Sequence, residues 1–295
     1  MSAIFVVGSI NTDLIVHVPR LPAPGETVIG GTFRRTQGGK GANQAVAAAR
    51  LGARAVMVGM AGNDSFGDEA VAELRSAGVD CSRVGTGMQP TGVAVVVVDE
   101  AGENLIAVAS GANEELSAES VTAALRPTVV AGDVVIANLE VPDSAVLAAA
   151  SEARAAAAAF ILNPAPARPL PRELVAACAV VTPNEHEVGA MGFATVEDLL
   201  TAGAAAVVVT LGARGADLHR RAAPPLHQDA FAVDVADTVG AGDAFSAALA
   251  WALANDRTIE DAVRLAAAAG ALSTRAAGAR TGLPSADEVT ALAVA

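Results

Sequence analysis

Short apolar runs that stop at a glycine or a polar loop alternate with alanine-rich helical stretches along most of this chain, and this alternation constrains its fold more than any other feature. "AIFVVGS" at the N-terminus is a first such run, closing on Gly8 and Ser9 as a strand buried on both faces does. "AVMVGMAG", "GDVVIANLE", "AAFILNPAP", "CAVVTPNE" and "AAAVVVTLGARG" repeat the pattern downstream. "NQAVAAARLGA" and "FGDEAVAELRSAGV" carry helical spacing and stop at Gly52 and Gly78. The last third predicts three helices: "GDAFSAALAWALAN", "TIEDAVRLAAAAGALSTR" and one after Pro284. This is the rhythm of βαβ units, so the fold class is α/β with a mostly parallel sheet.

Two stretches break the rhythm. "DLIVHVPRLPAPGETVIGGTFRRT", with alternating apolar residues and a Pro/Gly turn, and "TGVAVVVVDEAGENLIAVASGAN", two strands around a turn containing Gly102, read as antiparallel hairpins. They predict a small separate sheet from strands inserted at about 12–38 and 91–110 of a single 1–295 domain. "VAVVVV" is apolar on both faces, so that sheet needs two covers. One is the main domain with its ligand, and the other is a second subunit.

Composition excludes several classes. The net charge of -13 opposes a nucleic-acid or anionic-membrane partner. No apolar run reaches the ~18 residues of a membrane span, and the N-terminus lacks the basic region of a signal peptide. Two distant cysteines, Cys81 and Cys178, fit a reducing cytoplasm and leave a disulfide unsupported. The histidines His17, His186, His219 and His227 show no metal-ligand spacing. Aromatics make up only 3% of the chain, so alanine, valine and leucine must build the core.

In open α/β sheets, ligands sit outside the carboxyl ends of the strands, which directs attention to the loops after each apolar run. "TQGGKGANQA" invites a P-loop reading and fails it: Arg34 stands where the first glycine is required, and Gly41 follows Lys40. It remains either a tight turn at a helix start or a backbone lying against a polyhydroxyl ligand, with Lys40 and Asn43 donating to its oxygens. Asn11 and Asp13 in "GSINTD" point to one face of an extended segment, where an amide and a carboxylate can hold neighbouring hydroxyls; a plain turn is the other reading. Glu140 is either a rim ligand or a charge at a helix start. Asn184 and Glu187 are either a helix cap or organisers of water-ligated Mg²⁺ and phosphate. Thr210, Gly212 and Gly215 are either a hairpin turn or a close backbone approach to a nucleotide.

"DTVGAGDAF" is not a dinucleotide fingerprint, because it comes late and Phe245 takes the third glycine's place. It predicts a helix N-terminus with free N–H groups on Gly240, Ala241, Gly242 and Asp243, suited to the charge on a transferring phosphoryl group. The same positive helix end is expected to keep Asp243 ionised as a base. An ordinary aspartate in a first helical turn is the alternative.

"GGKGANQAVAAARLGA" and "DTVGAGDAF" resemble the two signature segments of the PfkB carbohydrate kinase family. "GSINTD", "PAPGET", "LNPAPAR", "TPNE" and "TLGARG" extend the resemblance nearly end to end in the same order. It implies a Rossmann-like three-layer α/β/α domain with a small antiparallel β-sheet lid, lid-to-lid homodimers, and a cytoplasmic enzyme. The implied reaction is ATP-dependent phosphorylation of D-ribose at its 5-hydroxyl, with Mg²⁺ held through water and K⁺ or a similar monovalent cation as activator. Deoxyribose, another pentose or a nucleoside is the alternative substrate, and a catalytically inactive sugar-binding regulator the alternative class. The resemblance implies Asp243 as base and Gly240, Ala241 and Gly242 as anion hole. It places Asn11, Asp13, Gly39, Lys40, Asn43 and Glu140 on the sugar. Asn184, Thr210, Gly212, Gly215 and Gly242 then meet ATP, and Glu187 serves Mg²⁺. Asp237, Val239, Ser273, Ala276 and Gly278 surround the monovalent cation. "TRAAGARTGLP" (Thr274 to Pro284) departs from the family pattern, and the stretch from Met191 to Ala205 is short for a nucleotide-side helix.

Overall fold

The structure is a computed structural model that describes residues 2–294. The strands, in chain order, are β1 (Ala3–Val7), β2 (Asn11–His17), β3 (Thr32–Gly38), β4 (Arg54–Gly62), β5 (Asp80–Gly87), β6 (Gly92–Val98), β7 (Asn104–Ala109), β8 (Val134–Asn138), β9 (Ala159–Asn163), β10 (Val180–Val181), β11 (Ala206–Thr210), β12 (Ala216–Arg220) and β13 (Leu226–Gln228). The helices are α1 (Lys40–Arg50), α2 (Ser65–Ser76), α3 (Ala118–Leu125), α4 (Asp143–Ala155), α5 (Arg172–Ala176), α6 (Glu187–Ala190), α7 (Val196–Ala202), α8 (Ala241–Ala254), α9 (Ile259–Ser273) and α10 (Ala286–Val294).

The large sheet runs β13-β12-β11-β10-β9-β8-β1-β4-β5. Every pair from β11 to β5 is parallel, and only β12 and β13 run against their neighbours. β1 and β8 are buried throughout, because successive side chains enter two different cores. Ile4 and Val6 join one core, with α1, α8 and α9; Phe5 and Val7 join the other, with α3, α4 and α7. Alanine does much of this packing. Ala244, Ala247 and Ala248 of α8 and Ala266, Ala268 and Ala269 of α9 are all buried in the core where these two helices pack, and small side chains let two helices approach closely. Cys81 and Cys178 are both free and lie in separate cores on opposite faces of the sheet, too far from one another for a disulfide. A helix does form in the short stretch between Met191 and Ala205: α7 starts at Thr195 with a reciprocal capping box to Asp198.

The strand order reverses between β1 and β8: successive strands after β1 build to one side, and those from β8 build to the other. The loops beginning Gly8-Ser9 and Leu139-Glu140 therefore flank the crevice where such sheets bind ligands. β2 leaves directly from this point.

The small sheet has the order β3-β2-β6-β7. Each hairpin is antiparallel, as expected, and the two are joined through a parallel β2–β6 pair. Both outgoing strands leave the large sheet in the same direction, so they meet parallel at the seam. β7 is exposed along its whole length; by register Phe33, Val95 and Leu105 share one face of the small sheet, Ile106 and Val108 share the face of Asn11 and Asp13, and all five are exposed. Among the described residues, no helix is long and apolar enough to cross a membrane.

Candidate active site

The start of α1 is wedged against the end of β1. A Cβ on Gly41 would lie 2.6 Å from the Gly8 carbonyl carbon and the Ser9 nitrogen, so only glycine permits this approach. Gly39 has φ 86°, and a Cβ there would meet the Asn11 nitrogen and Ser9 oxygen at 2.8 Å. The glycines of "GGKG" thus bring strand end and helix start together before any ligand enters. Glu140, from the loop after β8, closes the junction: its Oε2 accepts from the Ser9 hydroxyl and from the Lys40 backbone N–H (3.1 Å).

Asn11 and Asp13 project from one face of β2. Asn11 is buried; its Oδ1 accepts from Asn113 Nδ2 at 2.7 Å, which leaves its own amide N–H groups as donors. Asn11 and Glu140 share the wall of a cavity of about 360 Å³. Gly38 has no side chain where Asp13 needs room, since a Cβ there would lie 2.2 Å from Asp13 Oδ2. Burial pushes the Asp13 carboxyl up from 3.8 to about 6; Arg280 pulls it down and Glu140 pushes it up.

α8 begins at Gly240 in the left-handed conformation (φ 81°), where a Cβ would meet Ala279 Cα at 2.7 Å. Among the described residues, the N–H groups of Gly240, Gly242 and Asp243 have no protein acceptor. The Ala241 N–H is not part of this free set, because it donates to the Thr238 carbonyl at 3.2 Å and closes the turn. Asp243 is buried beside these donors. Its Oδ2 accepts from Asn43 Nδ2 and its Oδ1 from Gln44 Nε2, both at 3.0 Å. The expectation that the helix end keeps Asp243 readily ionised meets a stronger opposing effect. Burial raises its pKa, only partly countered by Lys40, Asn43 and Gln44, and Glu140 raises it further.

Two cavities meet along Thr210 and Gly242. The first, about 480 Å³, is largely apolar, with Gly212, Gly215, Phe231, Val233, Ala267 and Ala271 among its walls. The second, about 220 Å³, is polar and brings Lys40, Asn184, Glu187 and Gly240 around Asp243. A flat apolar slot leading to a polar pocket with unpaired N–H groups fits a nucleotide, base in the slot and phosphates in the pocket. Gly212 faces open space, whereas Gly215 is glycine because a Cβ would collide with the Gln228 carbonyl of β13. "TLGARG" is thus both the β11–β12 hairpin turn and a cavity wall.

Asn184 and Glu187 are likewise a cap and a pocket wall at once. Asn184 Oδ1 accepts from the N–H groups of His186 and Glu187, and Glu187 Oε2 accepts from the Asn184 N–H at 2.8 Å. Burial raises the Glu187 pKa against the Asn184 N–H and the Lys40 charge. A single half-buried carboxylate in a polar pocket matches Mg²⁺, which keeps most of its waters and leans on substrate phosphates.

Asp237 ties two loops together, Oδ1 accepting from the Val239 N–H (3.0 Å) and Oδ2 from the Gly278 N–H (2.8 Å). The Ala236 and Asp237 N–H groups both donate to the Thr274 carbonyl. Each Asp237 oxygen keeps a further lone pair, a donor set suited to a weakly hydrated monovalent cation. Ser273 is buried at the end of α9, its Oγ donating to the Gly270 carbonyl. A Cβ on Gly282 would lie 2.2 Å from the Ser273 carbonyl oxygen and 3.3 Å from the Ala276 nitrogen, so Ser273 and Ala276 flank the same turn.

Four contributors were not singled out from the sequence: Ser9, Gln44, Asn113 and Arg280. Gln44 follows Asn43 in the signature segment, so its place beside a named site residue was a usable signal. Gln44 Nε2 also donates to Asn163 Oδ1 at 3.0 Å. Asn113 and Arg280 act from distant segments, and no local pattern marks them.

Comparison with known proteins identifies the family and the fold. The chain is 38% identical over 295 residues to the Bacillus subtilis ribokinase, covering 98% of each chain. It superposes on the crystal structure of the Thermotoga maritima ribokinase with a TM-score of 0.90, 31% identity and complete coverage of both chains. It superposes on the structure of the Arabidopsis thaliana ribokinase complexed with ribose and ATP with a TM-score of 0.86, 33% identity and 99% coverage of each. A model of the pfkB family carbohydrate kinases matches residues 1–286. The chain therefore belongs to the pfkB family of carbohydrate kinases.

Proposed function

We propose that this enzyme transfers the γ-phosphoryl group of ATP to the 5-hydroxyl of D-ribose, giving ribose 5-phosphate and ADP. The observation that carries the reading is the buried Asp243 carboxylate beside the unpaired N–H groups of Gly240, Gly242 and Asp243, where the apolar slot opens into the polar pocket. Asp243 takes the proton of the 5-hydroxyl as its oxygen attacks the γ-phosphorus; the bond from that phosphorus to the bridging oxygen breaks and ADP leaves. The three N–H groups and Lys40 stabilise the charge on the phosphoryl oxygens in transfer. A carboxylate whose pKa is raised accepts a hydroxyl proton more readily than an ordinary aspartate. Bound Mg²⁺, beside Glu187, supplies charge neutralisation on the phosphates. The relatives' names and the ribose and ATP of the Arabidopsis thaliana structure support both substrates.

In this reading Asn11, Asp13, Gly39, Lys40, Asn43 and Glu140 hold the sugar; the small sheet is a lid over it, excluding water from the transfer. Asp237, Val239, Ser273, Ala276 and Gly278 hold potassium through the carboxylate and backbone carbonyls, steadying the turn that precedes α8. The decisive assay is ADP release from ATP and Mg²⁺ over a panel of D-ribose, deoxyribose, other pentoses and nucleosides, in KCl and in a large organic cation. Turnover fastest on D-ribose and higher in KCl is expected. Turnover on another substrate alone, or none, overturns the sugar assignment, and equal rates in the two salts overturn the potassium site. Two buried free thiols suit the cytoplasm, where such a kinase meets ATP.

The lid also carries the dimer in this reading. Phe33 (65% exposed) and Leu105 (50%) share the face of the small sheet opposite Asn11 and Asp13, an apolar surface that the chain itself leaves uncovered. Sedimentation should give a dimer, and Leu105→Lys should convert it to monomer. A wild-type monomer at micromolar concentration removes the proposal.

Asp13 gives a pH prediction. Its ionised form accepts from sugar hydroxyls with both oxygens, whereas protonation turns one of them into a donor, and its pKa lies at about 6. The KM for ribose should therefore fall as pH rises from 5 to 7 and level off above, and Asp13→Asn should have a high KM without that pH dependence. Stability runs the other way. A carboxyl raised from 3.8 to about 6 contributes stability that is present below pH 3.8 and lost as pH rises through 6, on the order of 3 kcal/mol for about two pH units. A KM flat between pH 5 and 7 in the wild type would sink the Asp13 assignment.

A further inference from the structure

Arg280 lies beyond α9 and reaches back across the site to three separate elements. Its Nε donates to Asn43 Oδ1 on α1, one terminal nitrogen to the Gly38 carbonyl at the end of β3, and the other to Glu73 on α2, each at 2.9 Å. The side chain is 11% exposed. A guanidinium this buried is retained only when its donors are matched, and its rigid fork matches three acceptors in fixed directions.

The bond to Asn43 decides which way round that amide sits. With Oδ1 taken by Arg280, Nδ2 faces Asp243 Oδ2 at 3.0 Å and donates to it. Turning the amide over would set two donors against each other at Arg280 and two acceptors at Asp243. Arg280 thus makes Asn43 a hydrogen-bond donor to the base without touching the base itself.

Arg280 also sits among the charges of the sugar pocket. It is coupled to Asp13 and Asp243 as well as to Glu73. The charged groups facing Asp13 are Arg280, from the segment after α9, and Glu140, from the loop after β8. Those facing Asp243 are Lys40 at the start of α1, Glu140 and Arg280 itself. Of these, Arg280 is the positive charge that opposes the burial of Asp13.

We propose that Arg280 is a positioning residue for the phosphoryl transfer: its guanidinium locks the Asn43 amide against Asp243 and supplies the fixed positive charge beside Asp13. This rests on the roles given above to Asp243 and Asp13. It also joins the root of the lid, through Gly38, to the catalytic helix start, so the sugar-binding carboxylate and the base are set by one side chain.

Two substitutions separate charge from fork geometry. Arg280→Met removes both, whereas Arg280→Lys keeps the charge and cannot bond Asn43 and Gly38 together. In Arg280→Met the midpoint of the KM profile for D-ribose should move up by about one pH unit, roughly a fivefold higher KM at pH 6 that narrows by pH 8. Its kcat should fall about tenfold, the low end expected when a hydrogen bond to a base is lost. Arg280→Lys should keep the wild-type pH midpoint and share the loss in kcat. Titration of the Asp13 side-chain carboxyl by ¹³C NMR, without sugar or ATP, should show a midpoint above about 6 in Arg280→Met and not in Arg280→Lys. A methionine variant with wild-type kcat, KM profile and Asp13 titration, altered only in thermal midpoint, overturns the proposal and leaves Arg280 a structural clamp. If the wild type phosphorylates no sugar, the functional reading fails by that result, while the NMR titration still decides whether Arg280 sets the Asp13 charge.

Discussion

Asp243→Asn should lower kcat by about 10³-fold while D-ribose still binds. General base catalysis contributes typically about 10²–10⁴-fold, and among the described residues Asp243 is the carboxylate that adjoins the unpaired N–H groups. The sugar contacts assigned to Asn11, Asp13 and Glu140 come from other elements and remain. The substitution carries a structural cost, because Asn43 Nδ2 and Gln44 Nε2 both donate into the native carboxylate. Asparagine offers one acceptor oxygen, so one of these donors faces an NH₂ group, at about 1–3 kcal/mol. Thermal melting measures that loss, calorimetry with ribose measures binding, and steady-state kinetics measures kcat. A folded variant whose kcat stays within tenfold of wild type removes Asp243 as the base.

Two glycines at the same turn should respond in opposite ways. Gly240→Ala should destabilise the fold and abolish most activity. Its left-handed conformation costs a side-chain-bearing residue about 1–2 kcal/mol, and the new Cβ would stand 2.7–2.9 Å from Ala279 atoms, two of them backbone. Relief requires the N-terminus of α8 to move away from the segment that carries Arg280, displacing the N–H groups and Asp243 together. Gly242→Ala should fold at least as well as wild type. The site is helical, nothing lies within 4 Å of the added carbon, and alanine is favoured over glycine in helices by up to ~1 kcal/mol. That open space is the junction of the two cavities, so the methyl group would occupy room assigned to phosphate. The expected result is an unchanged or raised melting temperature with at least a tenfold higher KM for ATP or lower kcat. A Gly242→Ala enzyme of normal kinetics would place the phosphates elsewhere.

The paired behaviour shows how far local sequence reaches. "DTVGAGDAF" names the turn, the helix start and the aspartate, since each follows from the residues themselves. It does not distinguish the glycine that a neighbouring segment requires from the glycine that leaves room for a ligand. Nor does it show that Ala241 spends its N–H on Thr238. The Asp243 pKa is a similar case. A helix start favours the charged form, but the depth of burial, which wins, depends on α1 closing over α8.

The sequence by itself determined the strand–helix alternation, the two inserted hairpins, and the loops that carry the chemistry. Each of these is set by periodicity and turn residues within a dozen positions along the chain. Only the tertiary structure decided which loops meet. Placing β8 beside β1 brings Glu140 to Ser9 and Lys40, and folding the segment after α9 back to α1 brings Arg280 to Asn43. Those contacts span 100 to 237 positions of chain. Their cause is the burial of two apolar sheet faces, which no local pattern of residues records.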